Sequence, residues 1–265
     1  MASPISMKTY MGNNYHFKIA KDLYYVLHYP NITEGDFMDR LVIPAGERLE
    51  VYSHAGPFDK GIAALKAEGL ELITARELAE ARILGGSDHP VSREGLWVAE
   101  HPIYRNNKQA DVLVVDGAHS QLLKHPVEAT DAHRDGKEFY IDQKVVGELR
   151  EQATPDGKHG VLLLPRQAIR KAIAVEALAD DAYARFLFRD LAGQYGQFLK
   201  DAGIMEVSVY VVDAGHAREQ KQPFGRALWV YDLNLISRSG LDGDNLVLPL
   251  NDGRVRGVRR MSRSG

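Results

Sequence analysis

The chain has 265 residues, 45% hydrophobic and 26% charged, which is enough for one large globular domain or two small ones. A net charge of −3 offers no global field for nucleic acid, and the absence of cysteine excludes disulfides, thiolate nucleophiles and Cys-ligated metal sites. No stretch reaches the apolar length of a membrane span and Met1-Ala-Ser-Pro-Ile-Ser6 lacks an apolar secretory core, so neither membrane insertion nor an export signal is expected.

Leu23 to Tyr29 is rich in aromatic and branched residues and is cut by Pro30, which predicts a strand. Leu41–Ile43 and Arg48–Tyr52 flank Pro44-Ala-Gly46 like the arms of a hairpin. Phe58 to Glu68 reads as a short helix stopped by Gly69. Thr74 and Glu77 have the spacing of a capping box, so a second helix should run to about Leu84. Gly85-Gly-Ser-Asp-His-Pro90 breaks the pattern and is the expected boundary between a small mixed α/β module (1–88) and a larger part (89–265).

Strands are expected within Gly95–Tyr104 and at Asp111–Val115, the latter apolar enough to be buried on both faces. Gly117 to Lys137 reads as polar connecting chain. Phe139–Ile141 is extended, Asp142 caps a helix over Gln143–Gln152, and Gly160–Pro165 is a core strand. A helix is predicted over Ala168–Leu178. A longer one, capped by Asp180 or Asp181, should run to Asp201, its buried stripe being Ala184, Leu187, Phe188, Leu191, Tyr195 and Phe198. Met205, Val207, Val209 and Val211 then alternate with polar residues as a strand.

The C-terminal stretch Arg226–Arg260 has fixed-looking ends around a middle of Leu, Asn, Asp, Gly, Ser, Val and Ile. Ala227, Trp229 and Tyr231 share one face of an extended chain, with Leu228 and Val230 on the other. Ser237 to Asn245 must loop, Leu246–Leu250 can return as a strand interrupted by Pro249, Asn251-Asp-Gly253 turns, and Arg254–Arg259 closes as a final strand. On pattern alone this is an antiparallel meander with one wet loop.

The residues Arg226-x-Leu228-Trp229, then Ser239-x-Leu241-x-Gly243, then Arg254-Val-Arg-Gly-Val-Arg259 resemble the variable region of diversity-generating-retroelement variable proteins, the archaeal kind in particular. The resemblance implies an α+β chain with a C-type lectin fold in 89–265, and a ligand-binding surface rewritten by adenine-directed mutagenesis over about 229–253. The positions it implies are Val230, Tyr231, Asp232, Asn234, Ile236 and Gly240, followed by Asp242, Asp244, Asn245, Leu246, Val247, Leu250, Asn251 and Asp252. An Asn codon mutated at adenines cannot become Lys, Glu, Gln, Trp or Met, and none of these occurs from Val230 to Gly253. A turn-rich meander would be poor in them too. The implied partner is a protein or glycan ligand met at a displayed surface, with no cofactor.

The chemical alternatives are sparse. Asp131, His133 and Asp135 could offer metal ligands from one loop, and Glu138, Asp142 and Lys144 have the makings of a nuclease set. Asp116, His119 and Ser120 supply hydrolase side chains without a nucleophile elbow. A small metal-dependent hydrolase or nuclease is therefore the rival reading. Asp242-Gly-Asp244-Asn245 could hold calcium, but Leu246 stands where an EF-hand needs an oxygen. Arg254, Arg256, Arg259, Arg260 and Arg263 read as alternating residues on the wet face of a terminal strand rather than a phosphate stripe.

Overall fold

A computed structural model describes residues 37–42, 48–231, 239–244, 246, 248–249 and 253–261. The expected strand at Leu23–Tyr29 and the turn at Pro44–Gly46 lie outside them. Three sheets carry the architecture. In the first, β1 (Phe37–Val42) pairs antiparallel with β2 (Arg48–Ala55), which pairs antiparallel with the last strand, β13 (Arg254–Met261). The second runs β6 (Phe139–Tyr140), β10 (Phe224–Gly225), β4 (His101–Tyr104), β5 (Val112–Val115), β7 (Val161–Leu164), all antiparallel. The third runs β3 (Leu96–Val98), β11 (Leu228–Val230), β12 (Ser239–Asp242), β9 (Glu206–Tyr210), β8 (Ala172–Ala174), and its β12–β9 pair is parallel.

Helix α1 (Phe58–Ala67) buries Phe58, Ile62 and Leu65, and α2 (Ala75–Gly85) begins at the predicted capping box, with Thr74 and Glu77 satisfying each other's main-chain amides. The expected boundary at Gly85–Pro90 is not a division of the contacts. The unit formed by Glu34–Gly265 runs through it, because β2 is completed by β13 and Ile73 N donates to Arg256 O at 2.7 Å. The chain's two ends of this unit thus share one sheet.

Several expectations change in detail. Gly95–Tyr104 is two strands, β3 and β4, in different sheets, with Ala99 and Glu100 between them. A short helix, α3 (Pro90–Arg93), follows the expected break at Gly85–Pro90, and the polar stretch after Gly117 holds two helices of its own, α4 (Gln121–Lys124) and α5 (Pro126–Arg134); α5 starts with proline at its first turn and buries Ala129, Thr130 and His133. Asp142 caps α6 (Gln143–Gln152) as predicted. Ala168–Leu178 is not a helix. It is edge strand β8 between two 3-10 turns, because the branched Ile173 and Val175 alternate into the core and Ile173 pairs with Val207 of β9. The long helix after Asp181 is broken into α7 (Ala182–Phe188) and α8 (Ala192–Asp201) at Arg189, whose φ of 53° and ψ of −130° no helix contains. Its stripe still packs, with Ala184, Leu187, Phe188 and Tyr195 buried.

The alternation read in β11 divides the molecule's apolar interior. Leu228 and Val230 join the cluster that includes α2, α7 and α8, while Ala227 and Trp229 join the one that includes α1, Trp97 and Val255. Leu248 and Pro249 form a turn rather than a strand; proline has no amide to give a ladder, and Leu248 O instead accepts from Phe58 N at 2.8 Å. The arginines of β13 are not all on a wet face: Arg256 is 1% exposed.

Candidate functional site

The candidate surface begins where β11 ends. Tyr231 N donates to Gly240 O at 2.9 Å, and the half-buried Tyr231 ring lies across Gly240, where a Cβ would stand 2.6 Å from Tyr231 Cδ2. Gly240 is therefore required by close approach. The Tyr231 hydroxyl donates to Asp242 Oδ2 at 2.8 Å, and the other Asp242 oxygen accepts from Asp244 N at 2.9 Å. Burial, then Asp242, pushes the Tyr231 phenol well up from its ordinary value. Tyr210, 46% exposed at the end of β9, sets its ring edge-on to Tyr231 with centroids 6.1 Å apart. An aromatic at the outward position of an alternating strand was the signal for it, and the sequence reading passed over it.

Scaffold side chains hold this root largely by its main chain. Arg82 of α2 is fully buried and donates to Tyr231 O at 3.0 Å, Glu94 O at 3.2 Å, Val91 O at 3.1 Å and the Tyr195 hydroxyl at 2.8 Å. The Tyr104 hydroxyl donates to Gly243 O at 2.7 Å. Arg226 donates to Asp244 O and, at 3.0 Å, to its carboxylate, while its other nitrogens clasp Glu138 at 3.0 and 2.5 Å. His216 Nε2 lies 2.8 Å from the same Glu138. Burial alone would raise the Glu138 carboxyl, but Arg226 and His216 outweigh it and hold it below its ordinary value. Asp244 is pushed up by burial, against the pull of Arg226.

The exit of the segment is packed through aromatics. Trp97 is fully buried between Phe58 and Trp229, edge to face with both at 5.6 and 5.2 Å between centroids. Gly253 passes so close that a Cβ would be 1.9 Å from the Trp97 ring, and its carbonyl accepts from Gly56 N at 2.9 Å. From there β13 leaves, with Arg254 and Arg256 both on Glu94 and Arg260 on Glu80.

No family model matches this sequence, and no curated protein matches it. A solved structure, described as the accommodation of massive sequence variation in Nanoarchaeota by the C-type lectin fold, superposes with a TM-score of 0.56 at 16% identity, covering 80% of this chain and 97% of that one. The chain has a C-type lectin fold.

On this lectin-fold scaffold the fourteen candidate positions separate. Tyr231, Asp244 and Leu246 are part-exposed, and the first two meet at the root described above. Val230, Gly240 and Asp242 are buried, Val230 in the core at 1% exposure and Asp242 at 7%, so these three support the surface from beneath instead of facing a ligand. Asp232, Asn234, Ile236, Asn245, Val247, Leu250, Asn251 and Asp252 lie outside the described residues. Of the residues that carry the resemblance, Leu241 and Val255 are buried and Trp229 is half-buried against the core.

The alternative chemical sets are committed elsewhere. Asp116 caps a 3-10 turn and bonds His119 Nδ1 at 2.7 Å, but the buried Ser120 hydroxyl accepts from Leu123 N as a helix cap. Asp131 pairs with Arg134 and Asp135 with Lys137, while His133 points inward, buried. Glu138 is spent on Arg226, Asp142 on its cap. Among the described residues no group of three or more His, Asp or Glu is arranged to hold a metal ion. Arg226, Arg82 and Glu138 as a holding network were not read as such from the sequence; their partners are 88, 149 and 78 residues away.

Proposed function

We propose that this protein is a binding protein in which a C-type lectin scaffold presents a C-terminal segment, about residues 229–253, to a protein or glycan ligand outside the cell, and that a retroelement diversifies the segment's surface side chains. The observation that carries the reading is the way the segment's root is held. Three scaffold side chains, Arg82, Tyr104 and Arg226, bond the main-chain carbonyls of Tyr231, Gly243 and Asp244. A carbonyl is present whatever residue occupies the position, so such bonds survive substitution. The lack of Lys, Glu, Gln, Trp and Met between Val230 and Gly253 agrees with rewriting of Asn codons. Tyr231 with Tyr210 supplies apolar area and Asp244 polar edge, the mixture that binding surfaces use. Among the described residues no helix is long and apolar enough to cross a membrane.

The test is the DNA beside the gene. The reading expects a reverse transcriptase and a near-copy of the coding sequence for Trp229 to Arg259, differing mainly at adenines. A locus without that copy removes diversification, and a panel of segment variants that all bind one ligand equally removes recognition by this surface.

A further inference from the structure

A second cavity lies apart from the C-terminal surface, where the end of α1, the start of α2, the β3–β4 turn, the chain after β5 and the break between α7 and α8 converge. Its volume is about 780 Å³, within the range of small-molecule sites. Ile62, Leu65, Leu70, Leu72 and Leu123 make its walls apolar. Two lining groups are unusual. Glu100 is only 2% exposed, and its carboxyl accepts from Ala75 N at 2.9 Å. Burial pushes that carboxyl up to about 7, so near neutral pH it carries a proton much of the time and can donate. Arg189 is the second. It sits in the left-handed region at φ 53°, a backbone that favours glycine, and its guanidinium lies 4.4 Å from the centre of the Phe186 ring, close enough to Glu100 to act on its charge. The neighbouring Arg76 is already spent on Asp190, at 2.7 and 3.0 Å, and on Glu80. Lys66 and Lys124 stand exposed at the rim.

We infer that this cleft binds a small amphipathic monocarboxylate, its apolar tail against Ile62, Leu65 and Leu72 and its carboxylate between Arg189 and Glu100. The guanidinium supplies the charge, and a protonated Glu100 donates the second hydrogen bond to the same head group. Keeping an arginine where glycine is the comfortable residue is then explained by what its side chain holds. Glu71 and Asp116 also line the cleft, Asp116 turned to His119 Nδ1 at 2.7 Å, so the charge offered beside Glu100 itself is that of Arg189. The inference is independent of the C-terminal surface, and its test needs neither the retroelement nor the displayed ligand.

The experiment is calorimetric titration and thermal melting of the full chain with octanoate, octylammonium and octanol, each at low millimolar concentration. Octanoate is expected to bind and to raise the melting temperature by about 3 °C when tenfold above its dissociation constant. Arg189→Gly relieves the backbone, so it should fold at least as well as the parent yet bind octanoate at least about tenfold more weakly. Glu100→Gln, which keeps a neutral donor, should retain binding. Octylammonium binding in place of octanoate, octanol binding equally well, no binding by any probe, or an unchanged affinity in Arg189→Gly would each overturn the assignment.

Discussion

The segment that β11 opens and β13 closes is held differently at its two ends. At the entry, Arg82, Tyr104 and Arg226 reach carbonyls of Tyr231, Gly243 and Asp244. At the exit, β13 is zipped to β2 from Arg254 opposite Ala55 to Met261 opposite Arg48, and its arginines are matched to Glu94 and Glu80, with Arg259 over Tyr52. The first kind of bond asks only for a main chain at the held position. At the exit the ladder is main chain too, but the arginine contacts beside it ask for particular side chains on both partners. On the proposed reading, freedom of sequence belongs to side chains that the carbonyl clamps leave untouched, and constraint belongs at Gly240, Trp97, Gly253 and β13.

The comparison breaks most visibly at the exit. Trp97→Ala should cost about 3–5 kcal/mol in chemical denaturation, since it empties the space between Phe58, Trp229 and Gly253, and Phe188→Ala should cost a similar amount. Trp229→Ala, half-exposed, should cost less than Trp97→Ala. At the entry, Arg226→Ala leaves the buried Glu138 without its guanidinium and should cost roughly 3 kcal/mol, while pairing it with Glu138→Gln should recover part of the loss. Purely additive losses in that cycle would mean that the two groups do not hold one another.

Acid sharpens the same picture from another direction. His101 is buried beside the Ala99 main chain and His133 is buried with no hydrogen-bond partner among the described residues, and burial, first of all, depresses them to about 3 and about 4. Their unfolded forms take up protons below about 6.5, so their contribution is full above that pH and is lost as pH falls towards 4 and 3. Glu100 works the opposite way, its raised carboxyl gaining stability as pH falls from 7 to 4.5. Between pH 6.5 and 4.5 the two histidines outweigh the one acid, each by at most about 1.4 kcal/mol per pH unit, and below 4.5 the depressed Glu138 carboxyl adds its own loss in the same direction. Denaturation curves at pH 7.5, 5.5 and 4.2 should show the loss steepening, and His133→Leu should flatten it. The smallest effects belong to the surface: Leu246→Ser should stay within about 0.5 kcal/mol, and Tyr231→Phe, which deprives Asp242 of a donor, should cost about 1 kcal/mol.

The parts legible in the sequence were those with a local cause. Thr74 with Glu77, Asp142 before α6 and the alternation of β11 each state their structure within a few residues. The helix expected over Ala168–Leu178 failed because Ile173 finds its partner, Val207, 34 residues further on, and a short apolar run cannot tell strand from helix without that partner. The break at Arg189 has no breaker residue to announce it. In the candidate site, the alternation of β11 is local, but Val230 and Asp242 lie beneath the surface because β11 and β12 are interior strands of the third sheet, β11 between β3 and β12 and β12 between β11 and β9, a non-local fact. The Arg82 and Arg226 clamps are invisible in sequence for the same reason.

The most direct test of the account is to melt and assay two altered proteins side by side: one with Tyr231 and Leu246 both replaced by serine, the other with Arg82→Met alone. The account expects the surface pair to melt within a few degrees of the parent while losing its ligand, at a cost of roughly 1–2 kcal/mol. Arg82→Met, which strands three carbonyls and the Tyr195 hydroxyl, should melt far lower. If the double surface variant unfolds and Arg82→Met does not, the scaffold and the recognition surface have been assigned the wrong way round.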